Sequence, residues 1–289
     1  MSAGTSASTA ILSVMGPDQK GLVARISDFI YRHNGSILHA EEHLDQETKL
    51  FLMRVEWDLK DFALPREEIA GAFDPLALEL GLEAQLRFSD GVPKTAIFVT
   101  RLDHCLYDLL LRHRAGELRA DFSLVISNHP DLRPVAESFG VEYLFLPVTK
   151  ETKPAQEARV RKELEQRRIE FIILARYMQI LSEDFVHHYR NRIINIYHSF
   201  LPAFAGPEPH REAFQRGVKL IGATAHYVTA ELEKGPIIAQ DVIPITHRDS
   251  VEDLIRKGRD VEKIVLAQAV RLHLENRILV YGNKTVVFD

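Results

Sequence analysis

Cysteine is almost absent from this chain: Cys105 is the single one among 289 residues. An intrachain disulfide framework is therefore excluded, and a reducing compartment is the natural setting. Cys105 sits in the apolar stretch His-Cys-Leu-Tyr-Asp-Leu-Leu-Leu, where a packed helix residue is the better reading than a nucleophile. Basic runs are missing too. With a formal net charge of -5 and no block of Lys or Arg, a phosphate-tracking surface is not expected, nor is a nucleic-acid partner. No apolar run approaches the roughly 20 residues that span a bilayer, so no membrane partner is expected. Residues 1–9 are small and polar, without the basic flank and apolar core of a signal peptide, and they are expected to be disordered. A cytoplasmic location follows as the expectation. Repeats and low-complexity tracts do not stand out. What is present is 46% hydrophobic and 27% charged, ordinary globular composition on a chain suited to two domains and a small substrate.

Residues 10–88 read as strand, helix, strand, strand, helix, strand. Ala10 to Val14 opens the set, and Gly16, Pro17 and Asp18 form the turn after it. The following helix carries Leu22, Val23, Ile26, Phe29 and Ile30 on one stripe and ends at Asn34-Gly35. In residues 48–59, Phe51, Met53, Val55 and Trp57 fall on one face and Arg54 and Glu56 on the other. A second helix is expected from about Pro65 to Leu80, with proline at its start, and Leu82 to Phe88 closes the unit. This βαββαβ order is that of a ferredoxin-like sandwich. Ser89-Asp90-Gly91-Val92-Pro93 is polar and turn-rich, so residues 89–94 read as a linker.

Across residues 95–289 the rhythm changes. Thr95–Thr100, Phe122–Ser127, Val141–Leu146, Phe171–Ala175 and Ile193–Tyr197 read as strands, with amphipathic helices between the earlier ones. Unbroken apolar runs such as Phe-Ile-Ile-Leu-Ala suit parallel strands buried on both faces. The fold class is thus α/β, with a doubly wound, mostly parallel sheet whose ligand lies beyond the carboxyl ends of its strands.

The opening segment Leu-Ser-Val-Met-Gly-Pro-Asp-Gln-Lys-Gly-Leu-Val resembles that of ACT domains. The resemblance implies an amino-acid effector near Gly16, Asp18, Gly21 and Leu22, and a homo-oligomer in which sheet edges pair. Glycine lets backbone approach a ligand and the helix N-terminus favours a carboxylate. A tight turn without a ligand stays open as the other reading.

Three later segments are dense in polar groups: Ala175-Arg-Tyr-Met-Gln-Ile-Leu181, Asn195-Ile-Tyr-His-Ser-Phe-Leu-Pro202, and Gly222-Ala-Thr-Ala-His-Tyr-Val228 continuing through Glu231-Leu-Glu-Lys-Gly-Pro236. In this order they resemble the folate-dependent formyltransferase fold family. With an ACT-like N-terminal domain in front of them, they resemble its deformylase branch. Ser127-Asn-His-Pro-Asp-Leu132, Gly217-Val-Lys219, the run Arg256 to Lys263 and Tyr281-Gly-Asn-Lys-Thr285 agree. That branch hydrolyses 10-formyltetrahydrofolate to tetrahydrofolate and formate, within one-carbon balance and purine biosynthesis. The folate is then substrate, and neither cofactor nor metal is implied. Glycine or methionine is the effector that the resemblance suggests.

Catalysis in the family rests on Asn, His and Asp around the formyl group. Asn195 matches the first of these, a donor to the oxygen that becomes anionic. Where the family has His this chain has Tyr197, and where it has Asp this chain has Glu233. A phenol, with a reference pKa of ~10, donates a hydrogen bond near neutrality but cannot serve as an imidazolium. Glutamate keeps the carboxylate and carries it one methylene further out, to position or deprotonate water. His198 matches the second His of a His-His-Ser pattern, with a direct role or a loop-ordering hydrogen bond both open. Arg176, Tyr177, Met178, Gln179, Ile180 and Leu181 resemble the segment that holds the pterin ring. His226 and Val228 border the same site, and His226 reads equally as a structural His that positions the carboxylate loop. Glu208 stands where relatives commonly carry a basic residue. The glycine loop that cradles phosphate in ribonucleotide formyltransferases is replaced by Arg101-Leu-Asp-His-Cys105, which favours water over an anionic acceptor. The substitutions at 197 and 233 leave a second possibility, a catalytically impaired folate-binding or amino-acid-sensing paralogue, and formyl transfer to another acceptor is a third. Among 13 histidines, His39 and His43 are four apart but in a predicted strand, and His187-His188 diverge on a helix, so no metal site is expected.

Overall fold

The computed structural model describes residues 8–203 and 208–288. The chain divides into two compact units: residues 1–91 with 275–279 and 286–289, and residues 92–274 with 280–285.

In the first unit the elements are β1 (Thr9–Pro17), α1 (Leu22–Arg32), β2 (Ser36–Asp45), β3 (Leu50–Asp58), α2 (Ile69–Leu80) and β4 (Glu83–Phe88). The sheet order is β2-β3-β1-β4, and every pairing given for it is antiparallel. Phe51, Met53, Val55 and Trp57 point to one core with Leu22, Ile26, Phe29 and Ile30 of α1. The alternation in β3 and the stripe in α1 bury one continuous apolar face, which is why these segments fold as they do. Helix α2 starts at Ile69, four residues after Pro65, because the segment before it closes a turn in which Glu68 N donates to Pro65 O (2.9 Å).

Several boundaries need correction. Disorder at residues 1–7 lies outside the described residues, but Ser8 and Thr9 are ordered: Thr9 begins β1 and Ser8 Oγ donates to Asp90 at 2.9 Å. Ser89 and Asp90 are likewise fixed, by Thr9 N donating to Ser89 Oγ (2.9 Å) and by a bidentate Arg66–Asp90 pair (2.6 Å each), and Lys94 already belongs to a strand. The chain end is not wholly part of the second unit. Arg54, on the face of β3 expected to be polar, is buried because its Nε donates to Asn276 O (3.0 Å). Gly16 is required by packing, since a Cβ there would lie 2.6 Å from Gly81 O. The Leu22 side chain packs in the core at 2% exposure, so only its backbone can face a ligand. Gly21 takes φ 86°, a left-handed conformation that glycine adopts freely.

The second unit runs β5 (Lys94–Val99), α3 (His104–Arg114), β6 (Asp121–Ser127), α4 (Arg133–Ser138), β7 (Glu142–Phe145), α5 (Lys153–Gln166), β8 (Phe171–Leu174), α6 (Glu183–His188), β9 (Ile193–Tyr197), α7 (Pro209–Arg216), β10 (Leu220–Tyr227), β11 (Ile237–Pro244) and α8 (Val251–Leu274). A short ribbon of β12 (Ile278–Tyr281) and β13 (Lys284–Val287) follows. The sheet order is β11-β10-β9-β8-β5-β6-β7; β5 to β9 are parallel, and β10 is antiparallel to both neighbours. Phe171, Ile172 and Ile173 are each at most 1% exposed, as strands covered on both faces require. From β5 the chain winds outward through β6 and β7, then returns to the other side of β5 as β8. The strand order therefore reverses between β5 and β8, and a crevice opens beyond their carboxyl ends. Cys105 is fully buried on α3. Among the described residues no helix is long and apolar enough to cross a membrane.

Candidate active site

The segments that leave β5, β8, β9 and β10 supply the site. On β9, Asn195 and Tyr197 are two residues apart, so their side chains share a face. Asn195 lies opposite His226 in the β9–β10 ladder, and its Nδ2 is 3.3 Å from His226 Nε2. The other imidazole nitrogen, Nδ1, is 2.9 Å from the carbonyl of Tyr227. A carbonyl only accepts, so Nδ1 carries the proton and Nε2 accepts from the Asn195 amide. Burial lowers the His226 pKa against a smaller raising effect of the Tyr227 carbonyl, which keeps the ring neutral, as that arrangement requires. One amide N–H of Asn195 is thus engaged by His226, and the second has no partner among the described residues.

Tyr197 is 5% exposed. Burial pushes the Glu233 carboxyl above its ordinary value, and the nearby Tyr197 hydroxyl only partly offsets this. Glu233 sits at φ 60°, a left-handed conformation that costs a non-glycine residue ~1 kcal/mol. The loop that carries it is closed tightly: Tyr227 N donates to Pro236 O (2.9 Å), and a Cβ at Gly235 would lie 1.7 Å from Tyr227 O. Asn195 and His226 therefore form a hydrogen-bonded pair across the β9–β10 ladder, and Tyr197, on the same face of β9 as Asn195, has the Glu233 carboxyl nearby.

The stretch from Arg176 to Leu181 leaves β8 through Arg176 at φ 62°. Tyr177 turns inward and meets Phe98 edge-on at 5.3 Å between centroids, while Met178 N donates to Thr100 Oγ1 (3.0 Å) across the strand-order switch. Met178 and Ile180 are 56% and 60% exposed, apolar groups presented to solvent beside the site. Gln179 and Leu181 are half-buried, and Leu181 and Val228 pack at the edge of the parallel-sheet core.

His198 departs from this face. It follows the last residue of β9 and lines a separate cavity of about 250 Å³ with Arg176, His210, Arg259 and Glu262. Its ring is 5.9 Å from that of His210, and the close approach of His210 Nε2 to position 258, 2.3 Å from where a Cβ would be, explains Gly258. Glu208 pairs with Arg211 (2.9 Å) and both are exposed; the preceding residues 205–207 of that loop lie outside the described residues. Glu262 is 2% exposed on α8, 2.7 Å from His104 Nε2. Burial raises its pKa, but the His104 hydrogen bond and the charges of Arg176 and His198 outweigh that and hold the carboxyl below its usual range. Sequence reasoning missed Glu262, His104, His210 and Gly235. A signal for Glu262 existed: it is an acid among Leu254, Val261, Val265 and Leu266, the stripe α8 buries.

His104, Cys105 and Glu262 are the one group among the described residues able to converge on a metal, their ligand atoms lying within 4.8 Å of one another. The 2.7 Å contact is a hydrogen bond between two of them, and burial beside Glu262 raises the Cys105 thiol well above its usual pKa. A protonated thiol next to an engaged His–Glu pair is a poor metal site.

Residues 93–270 match the family described as Formyl transferase. The chain belongs to that family, and its fold is the α/β formyltransferase fold. Relatives sharpen the assignment. A formyltetrahydrofolate deformylase of Synechocystis sp. is 55% identical over 280 residues, 97% of this chain and 98% of that one. That of Bacillus subtilis is 41% identical, covering 96% and 93% respectively. The crystal structure of a formyltetrahydrofolate deformylase from Pseudomonas syringae pv. tomato superposes with a TM-score of 0.97 at 43% identity, over 99% of this chain and 96% of that one. The chain is a member of the formyltetrahydrofolate deformylases.

Proposed function

We propose that this chain hydrolyses 10-formyltetrahydrofolate to tetrahydrofolate and formate. The observation that carries the reading is the Asn195–His226 pair with Tyr197 and the Glu233 carboxyl on the same side of β9, in a chain that belongs to the deformylases over nearly its whole length.

The pterin lies against the Arg176–Leu181 segment, where backbone groups and the apolar Met178 and Ile180 receive it. Glu233 takes a proton from water as the water oxygen attacks the formyl carbon. The tetrahedral oxyanion accepts the free N–H of Asn195, whose direction is fixed by His226. Tyr197 holds the carboxylate in place, so the extra methylene of Glu233 does not leave it adrift. Collapse breaks the bond between carbon and N10, the proton passes from Glu233 to that nitrogen, and formate leaves. The raised pKa of Glu233 suits a base that must return its proton.

In the N-terminal unit, the turn Gly16–Leu22 is read as an ACT-like effector site for glycine or methionine, and two copies are expected to pair through sheet edges. A cytoplasmic setting fits the single buried thiol.

Formate release by the purified chain tests the reaction. Glu233→Gln is expected to lower kcat about 10²–10⁴-fold without loss of fold. In the unaltered chain kcat/KM should fall on the acid side as Glu233 is protonated, with the midpoint above the ordinary carboxylate value because burial raises it; Glu233→Gln should flatten that limb. No formate release at saturating folate would defeat the reading.

A further inference from the structure

Glu262 is the only acidic side chain buried in the second unit among the described residues. It is set in the middle of α8, on the stripe that packs against the sheet. Removing a carboxylate from water costs several kcal/mol unless partners compensate, so its surroundings should account for it. Three partners do. His104 Nε2 lies 2.7 Å from Glu262 Oε2, and Arg176 Nε lies 3.5 Å from the same oxygen as an ion pair. His198 is close enough for its charge to act on the carboxylate. Each partner follows a different strand: His104 comes after β5, Arg176 after β8 and His198 after β9. Those three strands are consecutive in the sheet. One carboxylate therefore stands among the outgoing segments of three adjacent strands, β5, β8 and β9, at the mouth where the substrate is read to bind.

Arg176 is the strained member. It holds φ 62° without being glycine, a conformation that persists only where the surroundings over-determine it. Its backbone is the first link of the Arg176–Leu181 loop, and its side chain is turned away from that loop into the buried cluster. Its Nε has no hydrogen-bond partner among the described residues, so the nearby charge of Glu262 is what compensates the buried guanidinium on that side.

We infer that Glu262 is a positioning residue for folate binding: by engaging the Arg176 guanidinium it fixes the backbone from which the pterin-binding loop departs. The inference rests on the proposed hydrolysis and adds to it a residue remote from the formyl group.

A double-mutant cycle read in steady-state formate release tests it. Glu262→Gln keeps the size of the side chain and removes its charge. It is expected to raise KM for 10-formyltetrahydrofolate about tenfold while kcat changes less than about threefold, because the loop and not the Asn195–Glu233 group is displaced. Arg176→Gly supplies a residue that accepts positive φ without an anchor. In that background Glu262→Gln should change KM less than about twofold, since the group it acts through is gone. If Glu262→Gln does not fold, as judged by circular dichroism, Glu262→Asp replaces it in the same cycle with an expected factor of about three in KM. An unchanged KM in the single variant, an equal change in both backgrounds, or a loss confined to kcat would each overturn the inference. Absence of formate release from the unaltered chain would instead overturn the proposed reaction, so the two failures are distinguishable.

Discussion

On the second face of β3, Arg54 is 6% exposed and almost fully occupied: Nε donates to Asn276 O at 3.0 Å and Nη2 to Glu56 at 2.8 Å, while Thr9 Oγ1 donates to the other Glu56 oxygen at 2.6 Å. At the carboxyl end of the parallel sheet a half-buried arginine, Arg176, has a buried Nε without a hydrogen bond among the described residues, and the Nδ1 of its neighbour His104 is equally without one. Arg176 and Glu233 hold positive φ without being glycine, but so do Asn34, Lys49, Asp61 and Asn276 of the first unit, so the contrast lies in hydrogen bonding and not in backbone conformation. Among the described residues Trp57 Nε1 is the one buried side-chain nitrogen or oxygen without a partner in the first unit. The difference separates two uses of a buried charge. A network such as that of Arg54, with no buried nitrogen left over, holds parts of a fold together, whereas one with buried nitrogens unbonded is kept only where the surroundings enforce it for a purpose.

That contrast can be broken by experiment. The largest effect is expected from Asn195→Ala, which removes the oxyanion donor and should lower kcat about 10²–10³-fold with little change in thermal midpoint; a comparable fall in stability would mean that the residue is structural. Next is Arg54→Leu. It leaves the half-buried Glu56 without its cation and Asn276 O without its donor, and should cost about 2 kcal/mol in chemical denaturation with kcat unchanged. If kcat fell instead, the first sheet would not be merely a saturated scaffold. The smallest is Gly16→Ala, whose Cβ meets Gly81 O at 2.6 Å; about 1 kcal/mol of stability should be lost, again without effect on kcat.

Much of this architecture was legible in the residues. The stripe Leu22, Ile26, Phe29, Ile30 and the alternation Phe51, Met53, Val55, Trp57 are periodic, and periodicity is a local property that a chain displays before it folds. Strand β9 was read at its observed bounds, and Asn195, Tyr197 and Glu233 were singled out by their motifs. The partnership between them was not legible, because Tyr197 and Glu233 are brought near each other by a loop in which Glu233 itself takes a left-handed conformation. Nor was the burial of Arg54, since the atoms that cover it come from residues 275 and 276, more than 200 positions away. The direction of His198 was not readable: β9 ends at Tyr197, so strand alternation does not reach His198, whose ring lies 5.0 Å from that of Tyr197 and lines the cavity with Glu262. Glu262 was visible only as an anomaly in an apolar stripe, and a charge in such a stripe names its partners only after the strands have been laid side by side.

The closure at Gly235 sets a constraint on how the chain can vary. If codons 230 to 236 were randomised together and functional survivors sequenced, Glu231, Leu232 and Lys234, all exposed, should return many letters. Position 235 should return one. Any side chain there would be driven into the carbonyl of Tyr227, and the hairpin that presents the carboxylate would have to reopen to admit it.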